Sequence, residues 1–162
     1  MTCCVTGHRP QGFPFPRDPV CETYEQYRKE LNDRLEQLIQ NGYTHFITGM
    51  AEGADIDFAQ CILLKKQSHP NLTLEAALPY PYCPPKHKSL TALEREAILT
   101  LCDEIVEVSP YYHNGCMQKR NMYMVDKSDL VLAIWNGTEK GGTWNTIRYA
   151  RKREKMIQYI LL

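Results

Sequence analysis

The sequence carries no net charge, because its 19 basic residues balance its 19 acidic ones. Non-specific affinity for nucleic acid comes from lysine and arginine side chains that neutralise phosphates, so this balance argues against a nucleic-acid-binding protein. One local exception is the stretch 148–155, which holds five basic side chains. We interpret it as the solvated end of the last predicted helix, with a basic patch as the alternative.

Long apolar runs are also missing. No stretch approaches the 18 or so residues that a membrane span needs. The apolar start, Met1 to Val5, is too short for a signal peptide and is followed by the polar residues His8 and Arg9. We therefore expect no membrane segment and a cytoplasmic location.

The seven cysteines are an odd number and include no C-x-x-C pair, which favours reduced cysteine over a disulfide framework. Two looser spacings, Cys83 with His87 and His113 with Cys116, would together supply a tetrahedral zinc set. Because neither spacing is typical of a zinc site, we predict no metal and no cofactor. A G-x-S-x-G motif, which would support a serine hydrolase, is missing as well.

What the chain does contain is an alternation of short β-branched runs and longer helical patterns. We predict strands at about 2–6, 44–48, 72–78, 104–108, 130–134 and 156–161, with the first helix starting at Asp18-Pro19 and the last near Thr143. Right-handed crossovers between such strands build a parallel sheet covered on both faces. We predict one Rossmann-like, doubly wound α/β domain over 1–162, with a mostly parallel six-stranded sheet.

The loops that follow the strands are the candidate binding site, because ligands of such sheets bind beyond the carboxyl ends of the strands. The first loop begins Gly7-His8-Arg9. A glycine lets a ligand approach the backbone, and Arg9 suits a phosphate. For His8 we favour a structural hydrogen bond over catalysis. The loop does not match the G-x-G-x-x-G fingerprint of dinucleotide sites.

The second loop leads into a helix and contains Gly49, Glu52, Gly53 and Asp55. The free N–H groups of a helix N-terminus suit an anion. Asp55 is explained equally well as a partner of a ribose hydroxyl and as a cap of the helix. This loop is therefore a candidate site without an assigned role for its carboxylates.

The loop after the fifth strand is the richest in glycine. It contains Gly137, Gly141, Gly142 and Thr143, and a helix begins there. N–H groups, a hydroxyl and the helix dipole converge at such a point, which predicts a phosphate cradle. Arg120 and Asn121, on the preceding predicted helix, would point toward the same end of the sheet, although a solvated helix face also explains them.

Taken in order, these motifs resemble the YpsA-like proteins, a bacterial branch of the SLOG superfamily. The set comprises Gly7-His8-Arg9-Pro10, Gly49-Met50-Ala51 with Gly53 and Asp55, Pro79-Tyr80-Pro81, Arg120-Asn121, and Asp129 through Gly141-Gly142-Thr143. The resemblance covers nearly the whole chain. It implies a Rossmann-like fold and a nucleotide or nucleotide-derived ligand, such as ADP-ribose, at the carboxyl edge of the sheet.

The same superfamily contains the LOG-type phosphoribohydrolases, which carry an arginine eight residues before a Ser-Asp pair and then P-G-G-x-G-T-x-x-E. Here Arg120 precedes Ser128-Asp129 by that spacing, and Gly142-Thr143 match the Gly-Thr pair. Thr146 occupies the place of the final glutamate. A carboxylate stabilises the positive charge that develops on the ribose, and a hydroxyl does not replace it. The comparison therefore implies a ligand cradle without that hydrolase chemistry.

Three functions remain as hypotheses. We favour a nucleotide-binding sensor or regulatory module. The first alternative is an N-glycosidic or phosphoribosyl hydrolase of nucleoside monophosphates, in which Glu52 or Asp55 supplies the missing carboxylate. The second is a nucleic-acid-binding protein like the DNA-processing protein A group, against which the neutral charge argues.

The oligomeric state stays open at this point. A set of apolar residues is explained equally well by a homodimer face and by burial beneath a loop: Tyr111, Tyr112, Met117, Met122 and Met124.

Overall fold

A computed structural model describes residues 1–82 and 90–162, without the side chain of Leu90. The strands are β1 (Thr2–Gly7), β2 (His45–Thr48), β3 (Thr73–Leu78), β4 (Glu104–Glu107), β5 (Leu130–Trp135) and β6 (Met156–Leu161). The helices are α1 (Glu22–Gln40), α2 (Ala54–Lys65), α3 (Leu90–Leu101), α4 (Cys116–Lys127) and α5 (Gly141–Lys152). Cys83 and His87 of the zinc alternative lie outside the described residues. Within the described ranges, none of the helices has the length and apolar character needed to cross a membrane.

The strands form one sheet in the order β4-β3-β2-β1-β5-β6, and every neighbouring pair is parallel. The chain moves from β1 outward to β4 and then crosses back to place β5 and β6 on the other side. The prediction of a doubly wound, Rossmann-like fold is confirmed, and the sheet is entirely parallel. β1 and β5 flank the switch point, where folds of this kind open a crevice.

Helices cover both faces of the sheet, and the strand residues alternate between them. In β5, Leu130 and Leu132 face the core with α1, α2 and α3, whereas Val131 faces α4 and α5. Because both faces are covered, the central strands read as continuous apolar runs. Because all strands run in the same direction, the helix that follows a strand begins near the carboxyl edge of the sheet.

Helix α1 begins later than the Asp18-Pro19 pair predicts. The Asp18 carboxylate accepts the N–H of Val20 at 3.0 Å, and its carbonyl oxygen accepts the N–H of Cys21 at 2.8 Å. Asp18 therefore closes a separate turn, and the helix begins at Glu22. The other predicted bounds agree closely with the structure.

Gly53 joins α2 to the loop after β1. Its φ is +96°, and a Cβ there would collide with the carbonyl oxygen of His8. That same oxygen accepts the N–H of Ala54 at 3.1 Å. Glycine at this position therefore allows the first two candidate loops to meet.

The variant Gly53→Ala is expected to lower the free energy of unfolding by about 2 kcal/mol, because it adds both backbone strain and a collision. Gly137→Ala is the matched control. Gly137 also has a positive φ, of +82°, but its Cβ position faces open space. We expect a loss of about 1 kcal/mol there, from strain alone. Urea unfolding measures both values, and equal losses would show that the contact with His8 contributes nothing.

Candidate functional site

The loops after β1, β2 and β5 meet around a cleft of about 390 Å³. It lies at the switch point between β1 and β5. Most of the predicted ligand-binding residues line it: Gly7, His8, Arg9, Asp55, Arg120, Asn121, Gly142 and Thr143. The structure thus brings together side chains from four separate segments of the chain.

The other predicted site residues lie around this cleft. Gly49 lines a smaller adjoining cleft of about 130 Å³. Glu52 is exposed and lies outside the lining of both clefts. Gly137 and Gly141 have φ values of +82° and +83° and shape the approach to α5. Like Gly53, they are positioned to set the path of the loops.

The glycines that line the clefts differ in what surrounds them. A Cβ at Gly7 would collide with Ala54, and a Cβ at Gly49 would collide with the guanidinium of Arg120. These two glycines are therefore explained by internal packing. At Gly142 a Cβ would meet none of the described residues within 4 Å. Only at Gly142 among these three does the missing side chain leave backbone open to a ligand.

Arg120 forms the buried base of the cleft. Its Nη1 donates to the carbonyl oxygens of Gly49 and Ala77, the latter at 3.3 Å, and its Nε donates to the side-chain oxygen of Asn121 at 2.8 Å. These bonds hold the guanidinium across the ends of β2 and β3. The exposed-face interpretation of Arg120 is wrong, since its side chain is 6% exposed.

Asp55 lies beside Arg120 and is equally buried. Its carboxylate accepts the N–H of Ala51 at 3.2 Å. Burial raises the pKa of Asp55 above its ordinary value, and the nearby guanidinium groups of Arg120, Arg9 and Arg95 oppose that rise. Three arginines thus act on one buried carboxylate, which leaves a local excess of positive charge.

Helix α5 adds to this positive potential. It begins with Gly141 and Gly142, has no acidic residue in its first turn, and its N-cap residue, Lys140, makes no side-chain capping bond. The first N–H groups of a helix have no partner inside the helix, and they carry the positive end of its dipole. Because Gly142 and Thr143 line the cleft, this helix end is suited to an anion.

Thr146, at the place of the LOG-type glutamate, has a structural role. Its hydroxyl donates to the carbonyl oxygen of Gly142 at 2.9 Å and accepts from Asn121 at 3.0 Å. The side chain is 3% exposed. It therefore fixes Asn121, which in turn orients Arg120, and places no carboxylate in the cleft.

His8 also lines the cleft, and its buried Nε2 has no hydrogen-bond partner in the part of the chain that the structure describes. Burial lowers the pKa of this imidazole, although Asn136 opposes the effect by a hydrogen bond. A buried nitrogen without a partner is uncommon in folded proteins. His8 is therefore a polar group that a ligand in the cleft would satisfy.

Sequence reasoning missed Arg95 on α3. Its guanidinium lies 4.7 Å from the centre of the Tyr82 ring, and both line the smaller cleft with Arg9 and Arg120. In the helix sequence LTALEREAILTL, nothing separates this arginine from an ordinary surface charge. The only related signal was Pro79-Tyr80-Pro81, whose Tyr80 also lines the smaller cleft.

The structure bears in part on two further predictions, the homodimer face and the solvated basic stretch 148–155. Met124 is buried against the sheet, whereas Tyr111 and Tyr112 are each 68% exposed, so a homodimer face stays a prediction for the exposed part of the set. In the basic run, Arg148 and Arg151 are exposed. This exposure agrees with a solvated helix end.

Metal-type ligands come together elsewhere in the described part of the chain. His45, Glu75 and Glu104 have ligand atoms within 4.8 Å of one another. The imidazole of His45 pairs with Glu75 at 3.0 Å, and the hydroxyl of Tyr123 donates to Glu75 at 2.9 Å. This group lies near the amino ends of its strands, away from the candidate loops, and its hydrogen bonds explain it as a link between strands.

Comparisons with known proteins agree on one family. A family model described as the YspA SLOG family matches residues 3–162. A prophage-derived protein of Bacillus subtilis, YoqJ, is 33% identical over 141 residues, which cover 76% of this chain and 81% of YoqJ. A UPF0398 protein of Bacillus pumilus is 26% identical over 98% of this chain and 86% of its own length. Another, from Halalkalibacterium halodurans, is 22% identical over 82% and 71%.

Proposed function

This chain belongs to the YspA SLOG family, and on that premise we propose that it binds a nucleotide or nucleotide derivative as a sensor or regulatory module. The observation that carries the proposal is the convergence of positive groups on the cleft at the switch point. Arg9 and Arg120 line it together with the uncapped start of α5. Its volume of about 390 Å³ is that of a small-molecule site.

The arrangement suits a phosphate at the start of α5. Gly142 leaves room for an oxyanion to approach the backbone, and Thr143 supplies a hydroxyl beside it. Arg9 lies across the cleft and is free to follow the ligand, because its side chain is exposed. The buried Arg120 contributes positive charge from the base of the cleft, where its Nε and Nη1 groups are already hydrogen-bonded to the protein.

A second candidate is the N-glycosidic hydrolase, which one observation favours. Asp55 is a carboxylate in the lining of the cleft, and burial raises its pKa. Catalytic carboxylic acids commonly have a raised pKa. Against this, the carboxylate already accepts a backbone N–H and lies beside Arg120, which accounts for it as a structural group.

Thermal unfolding with nucleoside mono-, di- and triphosphates, ADP-ribose and NAD tests the proposal. A ligand at 100 times its dissociation constant is expected to add about 2.7 kcal/mol to the free energy of unfolding. Chromatography of the same samples is expected to find no released base or ribose phosphate. If no nucleotide shifts the unfolding transition, both candidate functions fail.

The variant Asp55→Asn separates the two candidates. A binding module is expected to retain its ligand in this variant, because the substitution removes a negative charge from an anion site. Asp126→Asn is the control, since Asp126 is an exposed carboxylate on α4. Turnover in the unaltered protein and in Asp126→Asn, but not in Asp55→Asn, would replace the binding module with the hydrolase.

A further inference from the structure

We propose that the smaller cleft beside Arg95 and Tyr82 holds a second anionic group of the same ligand. The ligand class is then a nucleoside diphosphate or an ester of one, and not a nucleoside monophosphate. This inference rests on the proposed function and assigns the part of the site that would distinguish these ligands.

The two clefts lie side by side. They share the residues Arg9, Ala51, Met117 and Arg120. The larger one, of about 390 Å³, is lined by the start of α5, and the smaller one, of about 130 Å³, is lined by Arg95. One ligand is therefore able to place a phosphate at α5 and extend a further group past Arg9 toward α3.

The guanidinium of Arg95 is suited to binding an oxyanion. Its Nε is buried and has no hydrogen-bond partner among residues 1–82 and 90–162. The Tyr82 ring lies against the guanidinium, with its centre 4.7 Å from the Cζ atom. Stacking on a ring holds a guanidinium in place and leaves its N–H groups available in the guanidinium plane, where they bind phosphate oxygens in pairs.

The charges of the joined clefts match more than one anionic group. Arg9, Arg95 and Arg120 all line the smaller cleft, and Asp55 is the buried carboxylate beside them. Burial lowers the pKa of Arg95, and Arg120 has a pKa lowered by burial and further by its two arginine neighbours. Such mutual repulsion is relieved when an anion enters, and a diphosphate supplies a second negative group where Arg95 lies.

Calorimetric titration with AMP, ADP, GMP and GDP tests this assignment without knowledge of the base. The unaltered protein is expected to bind a diphosphate about tenfold more tightly than the matching monophosphate, as one additional charge-assisted hydrogen-bonded contact would give. In Arg95→Leu the two affinities are expected to become equal. The affinity for the monophosphate is expected to stay within about twofold of its original value, because its phosphate lies at α5.

Arg148→Leu is the matched control, since it removes the same charge from an exposed position on α5 outside both clefts. It is expected to keep the preference for the diphosphate, and thermal unfolding of both variants reports whether each is folded. Equal affinities in the unaltered protein, or a preference that survives Arg95→Leu, would overturn the inference while leaving the proposed function intact. Failure of all four nucleotides to bind would count against the proposed function itself.

Discussion

Replacement of Gly142 by glutamate is expected to weaken nucleotide binding by about a hundredfold or more, as the loss of charge-assisted phosphate contacts and a like-charge repulsion predict. Gly142 lines the larger cleft, and a Cβ at this position would have no neighbour within 4 Å in the described ranges of the chain. The new side chain therefore begins in open space, and its carboxylate is expected to compete with the proposed phosphate. Calorimetric titration with the nucleotide that shifts the unfolding transition measures the loss.

The same substitution is expected to leave the fold intact. Glutamate favours helical backbone more than glycine does, and a negative charge in the first turn of α5 interacts favourably with the helix dipole. We expect the free protein to become more stable by about 0.5 to 1 kcal/mol. Binding and stability would then change in opposite directions, which a general folding defect does not produce.

Two controls separate the charge from the added side chain. Gly142→Ala adds a Cβ without charge and is expected to bind within about threefold of the unaltered protein, since the position is open. Asn145→Glu adds the same charge to an exposed position on the same helix that lines neither cleft, and is expected to bind normally. If Gly142→Glu also binds normally, the phosphate lies elsewhere and the cleft has been misassigned.

The position of the candidate loops could be predicted because each loop is continuous in sequence. A glycine-rich run between an apolar strand and a helix, such as Gly141-Gly142-Thr143, indicates both the local backbone and its place at the sheet edge. Arg95 could not be predicted in this way. It enters the site from α3 only because the chain folds that helix beside α2, and no spacing in the sequence records that contact.

Asp55 and Asp57 show the same limit of sequence-based prediction within a single helix turn. Two residues apart on α2, they point about 200° apart around the helix axis. Asp55 follows the loop motif and lines the cleft. Asp57 faces the opposite side, where its partners are Arg17 and Arg28, distant in the sequence. The helix period predicts that the two carboxylates face different ways, but only the packing of α1 and the segment before it against α2 shows which one is paired with arginines.

Asp57 is the centre of a buried charge cluster. Its side chain is fully buried and accepts hydrogen bonds from Arg17 at 2.5 Å, Arg28 at 3.0 Å and the hydroxyl of Tyr24 at 2.9 Å. Burial raises the pKa of Tyr24 to about 12, with the Asp57 carboxylate as the next cause. The cluster connects the segment before α1, α1 itself and α2, and so supports the helix whose start forms the second loop of the site.

The variant Asp57→Asn is expected to lower the free energy of unfolding by about 3 kcal/mol, the usual effect of removing one partner of a buried ion pair. Asparagine has nearly the same shape, so packing is preserved. Two largely buried guanidinium groups would keep their charges after losing Asp57 as their counter-ion, and the Arg17 and Arg28 side chains are only 16% and 22% exposed. Urea unfolding at neutral pH measures the change.

Asp126→Asn is the control for this prediction, because Asp126 also pairs with an arginine and a tyrosine hydroxyl but lies on the surface. Water solvates an exposed arginine that loses its partner, so we expect a change below about 1 kcal/mol. A loss at Asp57 as small as that at Asp126 would mean that water reaches the cluster when the charge is removed. A large loss only at Asp57 would show that the stability of the protein depends on the burial of this paired carboxylate.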